Sequence, residues 1–384
     1  MISKERLVNE FLELVEIDSL TKKEREMIDA LSSKVKNLGI FCYEDNAGEL
    51  VGGEAGNLIC HMPSNLGESL DNPSFGHHGK SKKLLFAAHV DTVEPGTGKK
   101  GMIDGEYIRS GTDAVLGADD LAGAACMLEA MEVIKEENIW HDDIWFIFTI
   151  GEEGGMYGAK GLDISRIDAD FGIVLDGGGE IGTVTTSAPS HYTLDITFTG
   201  KAAHAGVCPE EGINAAVVAA KAISGMRIGR IDHETTANIG MINGGSAINI
   251  VCEKVNLKAE IRSIDSQKLE NEYAYMRKCI YDAAAEYGAE VSIDADPEYK
   301  SFKINDDDEL LEFLRKSAES VGIVVVTESS GGGSDTNILN EKGIKSVNIS
   351  VGMNQCHTRE ENVKIADLVK TAGFVVSIVK NSII

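Results

Sequence analysis

Five short segments put acidic or histidine side chains just after apolar runs or at the start of a helix. AAHVDTV carries His89 and Asp91, GADDLAG carries Asp119 and Asp120, TIGEEGG carries Glu152 and Glu153, VLDGGG carries Asp176, and NQCHTREE carries His357. Imidazole and carboxylate are donors that zinc takes in enzymes, and a catalytic zinc keeps one position open for water. Two metals roughly 3.5–4 Å apart need a bridging carboxylate and a bridging water. A pair of Zn²⁺ brings four positive charges, which three carboxylates and a hydroxide cancel while the histidines stay neutral. A spare carboxylate beside such a pair can take the proton of the water and deliver it to a leaving amine. Asp91, two residues after His89, lies on the same face of an extended chain. It can accept the ring N–H and fix the tautomer. Spacing alone does not choose between Asp119 and Asp120. Each motif by itself has an ordinary explanation: a solvated turn for the paired glutamates, a helix N-cap for Asp119–Asp120. Their joint supply of a full ligand set at strand ends is what points to hydrolytic metal chemistry.

The elements that must position these groups can be read from periodicity. Residues 57–61, 84–89, 144–150 and 171–175 are short apolar runs bounded by Gly, Asp or Pro, as buried strands are. Leu121, Ala125, Leu128, Met131 and Ile134 recur at helical spacing after Asp119, and two further helical patterns cover 4–17 and 22–38, the second stopping at Gly39. Strands alternating with helices predict an α/β fold with a largely parallel sheet covered on both faces. Ligands of such sheets sit at the carboxyl ends of the strands, where most of the groups above fall. Residues 62–83, with Pro, Ser, Asn and Gly, read as a solvated insertion.

The pattern changes near residue 187. Residues 192–199 (YTLDITFT) alternate, a helix follows at 212–224, strands at 238–242 and 255–262, a long helix at 266–287 and a strand at 290–293. This α+β block, 187–297, reads as a domain inserted between two halves of the first, 1–186 and 298–384. The α/β pattern resumes with a helix at 307–321, a strand at 323–327, a glycine-rich loop at 331–337, a strand at 346–351 and a helix from about 362.

Bulk properties bound the partners. The 384 residues carry a formal charge of −26, with 43% hydrophobic and 26% charged residues. So acidic a chain lacks the basic face that nucleic acid or an anionic membrane requires. No apolar run is long enough for a membrane span, and the opening residues are charged and amphipathic, unlike a signal peptide. Seven cysteines, scattered and without a C-x-x-C, read as reduced thiols of a cytoplasmic protein.

In this order, AHVDTV, GADDLAG, GEEG, LDGGG and CHTREE resemble the di-zinc peptidases that include carboxypeptidase G, aminoacylase and peptidase T. GADD-x-AG with DGGG and a terminal H-T-x-E-E is most similar to the peptidase T (tripeptide aminopeptidase) branch. The resemblance implies a three-layer α/β zinc-peptidase domain and an inserted ferredoxin-like α+β lid through which two copies dimerise. It implies two Zn²⁺ per chain, with Co or Mn as possible substitutes. His89, Asp119 and Asp176 would hold one metal, and Asp119, Glu153 and His357 the other. Asp119 would then be the bridge, often followed by a cis peptide. Glu152 would be the general base that activates the metal-bridging water, and Asp91 the orienting carboxylate. His204 in GKAAHAG resembles the lid histidine that steadies the oxyanion, often in the other subunit's site. Asn249 in GGSAINIV and Arg262 in AEIRS resemble positions that hold the substrate carboxylate, for which the arginine fork suits. Gly333 lies in GGGSDTN, which resembles a substrate-facing loop of the catalytic domain. The implied substrate is a short peptide. A carboxypeptidase or an N-acyl-amino-acid deacylase of the same family is the alternative, since GGSAINIV is similar to those branches.

Other features read more plainly. Gly177, Gly179 and Gly182 form a G-x-G-x-x-G after a strand, but TVTTSAPS follows where a dinucleotide site needs a helix. A metal protein that has lost catalysis would lack a base or ligand, and none is missing here. His77–His78 reads as solvated, Cys356 as a buried thiol, and His191, Cys208 and Trp145 as packing.

Overall fold

The computed structural model describes residues 1–69 and 81–383. His77 and His78, and half of the 62–83 insertion (residues 70–80), lie outside the described residues. The chain divides into two compact units. The first holds Met1–Thr186, Ile304–Ser329 and Ser334–Ile384, and the second holds Ser187–Lys303 and Ser330–Gly333.

The first unit is built on a mixed sheet whose centre is parallel. From one edge its strands run Phe41–Glu44, Leu58–Met62, Ile144–Thr149, Leu84–His89, Phe171–Gly178, Ser346–Asn354, Asn362–Lys364, Tyr107–Ser110 and Gly101–Asp104. The four strands from Ile144–Thr149 to Ser346–Asn354 are mutually parallel. Every residue of LLFAAH and IWFIFT is buried, as central parallel strands require. Alternation then sends Leu84, Phe86 and Ala88 to one apolar cluster and Leu85 and Ala87 to another. The first cluster takes in Leu7, Phe11 and Leu14 of helix Lys4–Val15, Met27 and Leu31 of Arg25–Asn37, and Phe374 and Ile378 of Ile365–Asn381. The second gathers Leu162, Ile167, Leu339 and Ile344. The α/β reading with a sheet covered on both faces holds.

Helix Ala118–Glu136 is buried nearly all round. It lies so close to the sheet that a Cβ on Gly123 would stand 2.3 Å from the carbonyl oxygen of Leu175. That contact sets how far the acidic start of the helix sits from the strand ends.

In the second unit five antiparallel strands run in the order Gly229–Arg230, Thr235–Gly244, Lys254–Ser263, Ser190–Thr199 and Glu290–Tyr299. Leu194, Ile196 and Phe198 point to one face, where helices Ala215–Gly225 and Ser266–Tyr287 cover them.

Several local expectations are corrected. The C-terminal helix begins at Ile365, because Asn362–Lys364 is a strand paired with Met353–Asn354 and with Tyr107–Arg109. The 331–337 loop stops at Ser334, whose hydroxyl caps a helix at Asp335–Glu341. The strand expected at 323–327 is shifted to Val326–Ser329. After Gly182 the chain enters strand Thr183–Ala188, which rules out the helix of a dinucleotide site. Among the described residues no helix is long and apolar enough to cross a membrane.

Candidate metal centre

Strand register brings the distant motifs level. Leu84–His89 pairs with Ile144–Thr149 so that His89 lies opposite Thr149, and Ala87 lies opposite Val174 of Phe171–Gly178. Two residues further, His89 and Asp176 stand side by side, with Nε2 of His89 3.7 Å from Oδ1 of Asp176. Glu152 and Glu153 follow the end of the neighbouring strand. His357 follows Ser346–Asn354 in a left-handed backbone conformation, φ 63°, which a non-glycine residue seldom adopts.

Asp119 sits between the two imidazoles. Its Oδ1 is 3.1 Å from His89 Nε2 and its Oδ2 is 3.2 Å from His357 Nε2. His357 Nε2 also lies 2.7 Å from Glu153 Oε1. Donor atoms of His89, Asp119 and Asp176 gather within 4.8 Å of one another, and so do those of Asp119, Glu153 and His357. The two groups share Asp119. The choice between the adjacent aspartates is made by backbone. Neither has helical dihedrals, and the peptide between them is cis. Asp120 turns into the core, where its carboxylate accepts the N–H of His89 at 3.2 Å and caps the helix at Gly123 N–H, 3.2 Å. The metal reading fits Asp119, and the capping reading fits Asp120.

Asp91 meets the His89 ring on its Nδ1 side. Nδ1 of the ring is 3.0 Å from the Asp91 carbonyl oxygen and 3.4 Å from its carboxylate. The carboxylate also receives the backbone N–H of Glu152 at 2.9 Å, that of Glu153 at 3.2 Å, and the hydroxyl of Thr21 at 2.6 Å. Asp91 therefore fixes the loop that carries both glutamates.

Three further residues support the cluster and were not singled out in the sequence. Glu361, buried, accepts the N–H of Gly117 at 2.7 Å and of Asp119 at 2.9 Å. Asn348 accepts the N–H of Asp176 at 3.0 Å. Asp335, also buried, accepts the hydroxyl of Thr149 at 2.6 Å, and its Oδ1 meets no partner among the described residues. Only the helix-capping Ser334 and the H-T-x-E-E motif could have drawn attention to two of them.

The electrostatics tell whether the donor set suits cations. Burial pushes the Asp176 carboxyl up to about 7 and that of Asp335 up to about 6. Glu152 is raised well above the carboxylate range by burial, with Asp176, Asp335 and Glu153 repelling its charge and His89 opposing them. Hydrogen bonds donated by its ring to the carboxylates of Asp119 and Glu153 raise His357 to about 10. Burial disfavours charge on His89, but Asp119, Asp176 and Asp91 outweigh it and raise its pKa. This many acids crowded around two imidazoles hold protons for want of positive charge, and divalent cations would supply it. Imidazole nitrogens and carboxylate oxygens are the right donors for zinc, so the residues fit.

The remaining sequence candidates lie in the second unit. His204 is exposed and pairs with Ile250, while Ala205 N–H bonds the Asn249 carbonyl at 2.9 Å, so His204 and Asn249 are neighbours. Arg262 is half-buried; its guanidinium meets Glu260 at 3.0 Å, and Glu260 also lies 3.1 Å from His191. Gly333 donates its N–H to the Tyr299 hydroxyl at 3.1 Å, and a Cβ there would strike the Tyr299 ring at 2.3 Å. Trp145 stacks on His61 with ring centroids 4.1 Å apart, and Cys356 packs on the first core cluster.

Residues 85–381 match Peptidase family M20/M25/M40. The chain is 43% identical to aminopeptidase PepT from Bacillus cereus, with 99% of each chain covered and a TM-score of 0.91. It is 40% identical to a tripeptidase from Staphylococcus aureus, covering 100% of this chain and 99% of that one, with a TM-score of 0.93. The uncharacterized protein YqjE of Bacillus subtilis is 42% identical over 382 residues, the whole length of both.

Proposed function

This chain belongs to peptidase family M20/M25/M40 and is a hydrolase of peptide bonds, and from that premise we propose that it is a cytoplasmic di-zinc exopeptidase that removes residues from short peptides, as a tripeptide aminopeptidase does. The observation that carries the metal part is Asp119, with one carboxylate oxygen turned to each histidine at 3.1 and 3.2 Å. His89 and Asp176 would hold one zinc, Glu153 and His357 the other, with Asp119 common to both. When bound, the metals supply Lewis acidity toward the scissile carbonyl and toward the attacking water.

The chain's own residues do the rest. Glu152 takes the proton of the attacking water on its carboxylate and returns it to the leaving amine. Asp91 keeps the Glu152–Glu153 backbone in place through its bonds to both N–H groups. Arg262 and Asn249 hold the free carboxylate of the peptide, Gly333 lies in a loop that faces the substrate, and His204 donates to the oxyanion.

A homodimer formed through the inserted unit, taken as the lid, belongs to the same reading. Among the described residues, strand Thr235–Gly244 pairs on its outer side only at Thr236–Ala237, and Met241 and Ile242 beyond that point are 51% and 60% exposed. An open strand edge carrying apolar side chains favours pairing with another copy.

The end specificity is tested with one substrate panel. Free tripeptides, N-blocked dipeptides and N-acetyl amino acids are assayed with zinc and with cobalt. Cleavage confined to free-amine tripeptides is the expected result; cleavage of the blocked substrates alone would transfer the chain to the carboxypeptidase or deacylase reading.

A further inference from the structure

Two of the seven cysteines stand opposite each other on neighbouring antiparallel strands. Cys42 in Phe41–Glu44 is the register partner of Cys60 in Leu58–Met62. Just beyond them, Asp45 donates its N–H to the carbonyl of Asn57 at 3.0 Å, which marks those two as a hydrogen-bonded pair. Hydrogen-bonded and non-hydrogen-bonded pairs alternate along an antiparallel ladder, so Tyr43–Ile59 is bonded and Cys42–Cys60 is not. Opposed Cα atoms of a non-bonded pair lie about 4.5 Å apart with their side chains at closest approach. A disulfide spans Cα separations of roughly 4.4–6.8 Å. The backbone is therefore already set for a cross-strand bond.

The two thiols differ in a way that suits sequential chemistry. Cys60 is fully buried in the first core cluster, while Cys42 packs on the same cluster but stays half-buried, leaving it a path to solvent. The Ser32 hydroxyl lies 3.9 Å from Cys42 Sγ. Hydrogen bonds from Cys60 and Ser32 and the charge of Lys36 bring the Cys42 thiol down to about 6, whereas burial pushes Cys60 up. A thiolate is the nucleophile in thiol oxidation, and a neighbouring thiol resolves the product.

We propose that Cys42 and Cys60 form a peroxide-reactive dithiol that closes to an intramolecular disulfide. The Cys42 thiolate attacks one oxygen of hydrogen peroxide and the O–O bond breaks. The departing oxygen takes a proton and leaves as water, and Cys42 becomes a sulfenic acid. Cys60 Sγ then attacks the Cys42 sulfur, and its proton leaves with the hydroxyl as a second water as the S–S bond forms. Two thiols are oxidised and one peroxide is reduced to two waters. The site is independent of the metal centre, and its test does not read hydrolysis.

The purified full-length protein is titrated with hydrogen peroxide, alkylated, and mapped by mass spectrometry without reduction. The expected product is a Cys42–Cys60 linked peptide with loss of the two thiol hydrogens, formed before any other cysteine is oxidised and reversed by dithiothreitol. In Cys60→Ser a 1,3-diketone should trap a sulfenic acid at Cys42, and Cys42→Ser should give no linkage. The wild-type map decides the case whether or not the variants fold. Oxidation of Cys208, Cys252 or Cys279 at peroxide levels that leave Cys42 and Cys60 unlinked would overturn the proposal. A folded Cys60→Ser protein with no trapped sulfenic acid would overturn the assignment of Cys42 as the attacking thiol.

Discussion

The carboxylate of Asp91 accepts the backbone N–H of Glu152 at 2.9 Å, although the two residues lie 61 positions apart in sequence. The same carboxylate holds Glu153 and Thr21. Asp91→Asn keeps the volume but puts an amide donor where N–H groups already point. The glutamate loop should then lose one of its fixed bonds. Turnover is expected to fall about 10- to 100-fold, the usual cost of losing a partner that orients ligands. Comparing kcat with metal content separates this from simple metal loss. A full turnover number with the wild-type metal load would remove Asp91 from the positioning role.

Glu152 comes within 4.8 Å of donor atoms of His89 and Glu153 but belongs to neither of the two donor groups that share Asp119, whereas Glu153 lies 2.7 Å from His357. Glu152→Gln should therefore retain metal while losing the proton acceptor. A fall in kcat of roughly 10²-fold or more is expected. Metal analysis beside steady-state kinetics checks both halves, and near-normal turnover would reject Glu152 as base.

Metal removal should abolish activity, and re-addition of zinc or cobalt should restore it. The pH dependence of metal affinity has a definite sign. Without metal, His357 is held up to about 10 and Asp176 up to about 7. Both must give up protons to become ligands. Affinity should weaken as pH falls below about 10 through His357, and more steeply below about 7, where Asp176 also binds a proton. Calorimetry in buffers of different ionisation heat reads the protons released. Zinc binding that releases none at pH 6.5, or full activity of the metal-free protein, would contradict the assignment.

How much of this was legible in the sequence follows from what kind of signal each part leaves. Ile144–Thr149 and Leu84–His89 are unbroken apolar runs, so their strands and the acidic or histidine residues at their ends were visible. Phe41–Glu44, Gly101–Asp104 and Tyr107–Ser110 are four-residue edge or flanking strands with mixed exposure, too short to carry a period. Spacing alone leaves Asp119 and Asp120 open, and the choice of Asp119 as the bridge comes from the resemblance to the di-zinc peptidases. In the structure Asp120 is buried and caps the helix at Gly123, while Asp119 faces both histidines. Thr21, Glu361 and Asp335 act through partners 70, 242 and 186 residues away, contacts that exist only after the sheet has formed.

The proposed dimer makes a test of His204 possible that a single-chain role would fail. His204→Ala should lower kcat by about 10²–10³-fold, the range for a lost oxyanion donor. If the histidine serves the partner's metal centre, mixing His204→Ala with Glu152→Gln restores activity, because one site of the mixed dimer has both groups intact. Mixed dimers isolated by two affinity tags with no gain in activity would place His204 outside a shared site.

Arg262 offers the sharpest reading of substrate polarity. Its guanidinium is already engaged by Glu260, 3.0 Å away, and Glu260 in turn lies 3.1 Å from His191. An arginine so paired is held in a fixed orientation, with Gly331 O 3.4 Å from its Nη1, and its remaining N–H groups can fork onto a second carboxylate. A hydrogen bond to a charged group contributes about 1.5–3 kcal/mol, equivalent to roughly 10- to 100-fold in binding. Arg262→Ala should raise KM by that factor for tripeptides with a free C-terminal carboxylate. Tripeptide amides, which lack the charge, should bind the wild type poorly and show little further loss in the variant. Equal losses for acid and amide would mean that the arginine only shapes the sheet, and the substrate carboxylate would need another anchor.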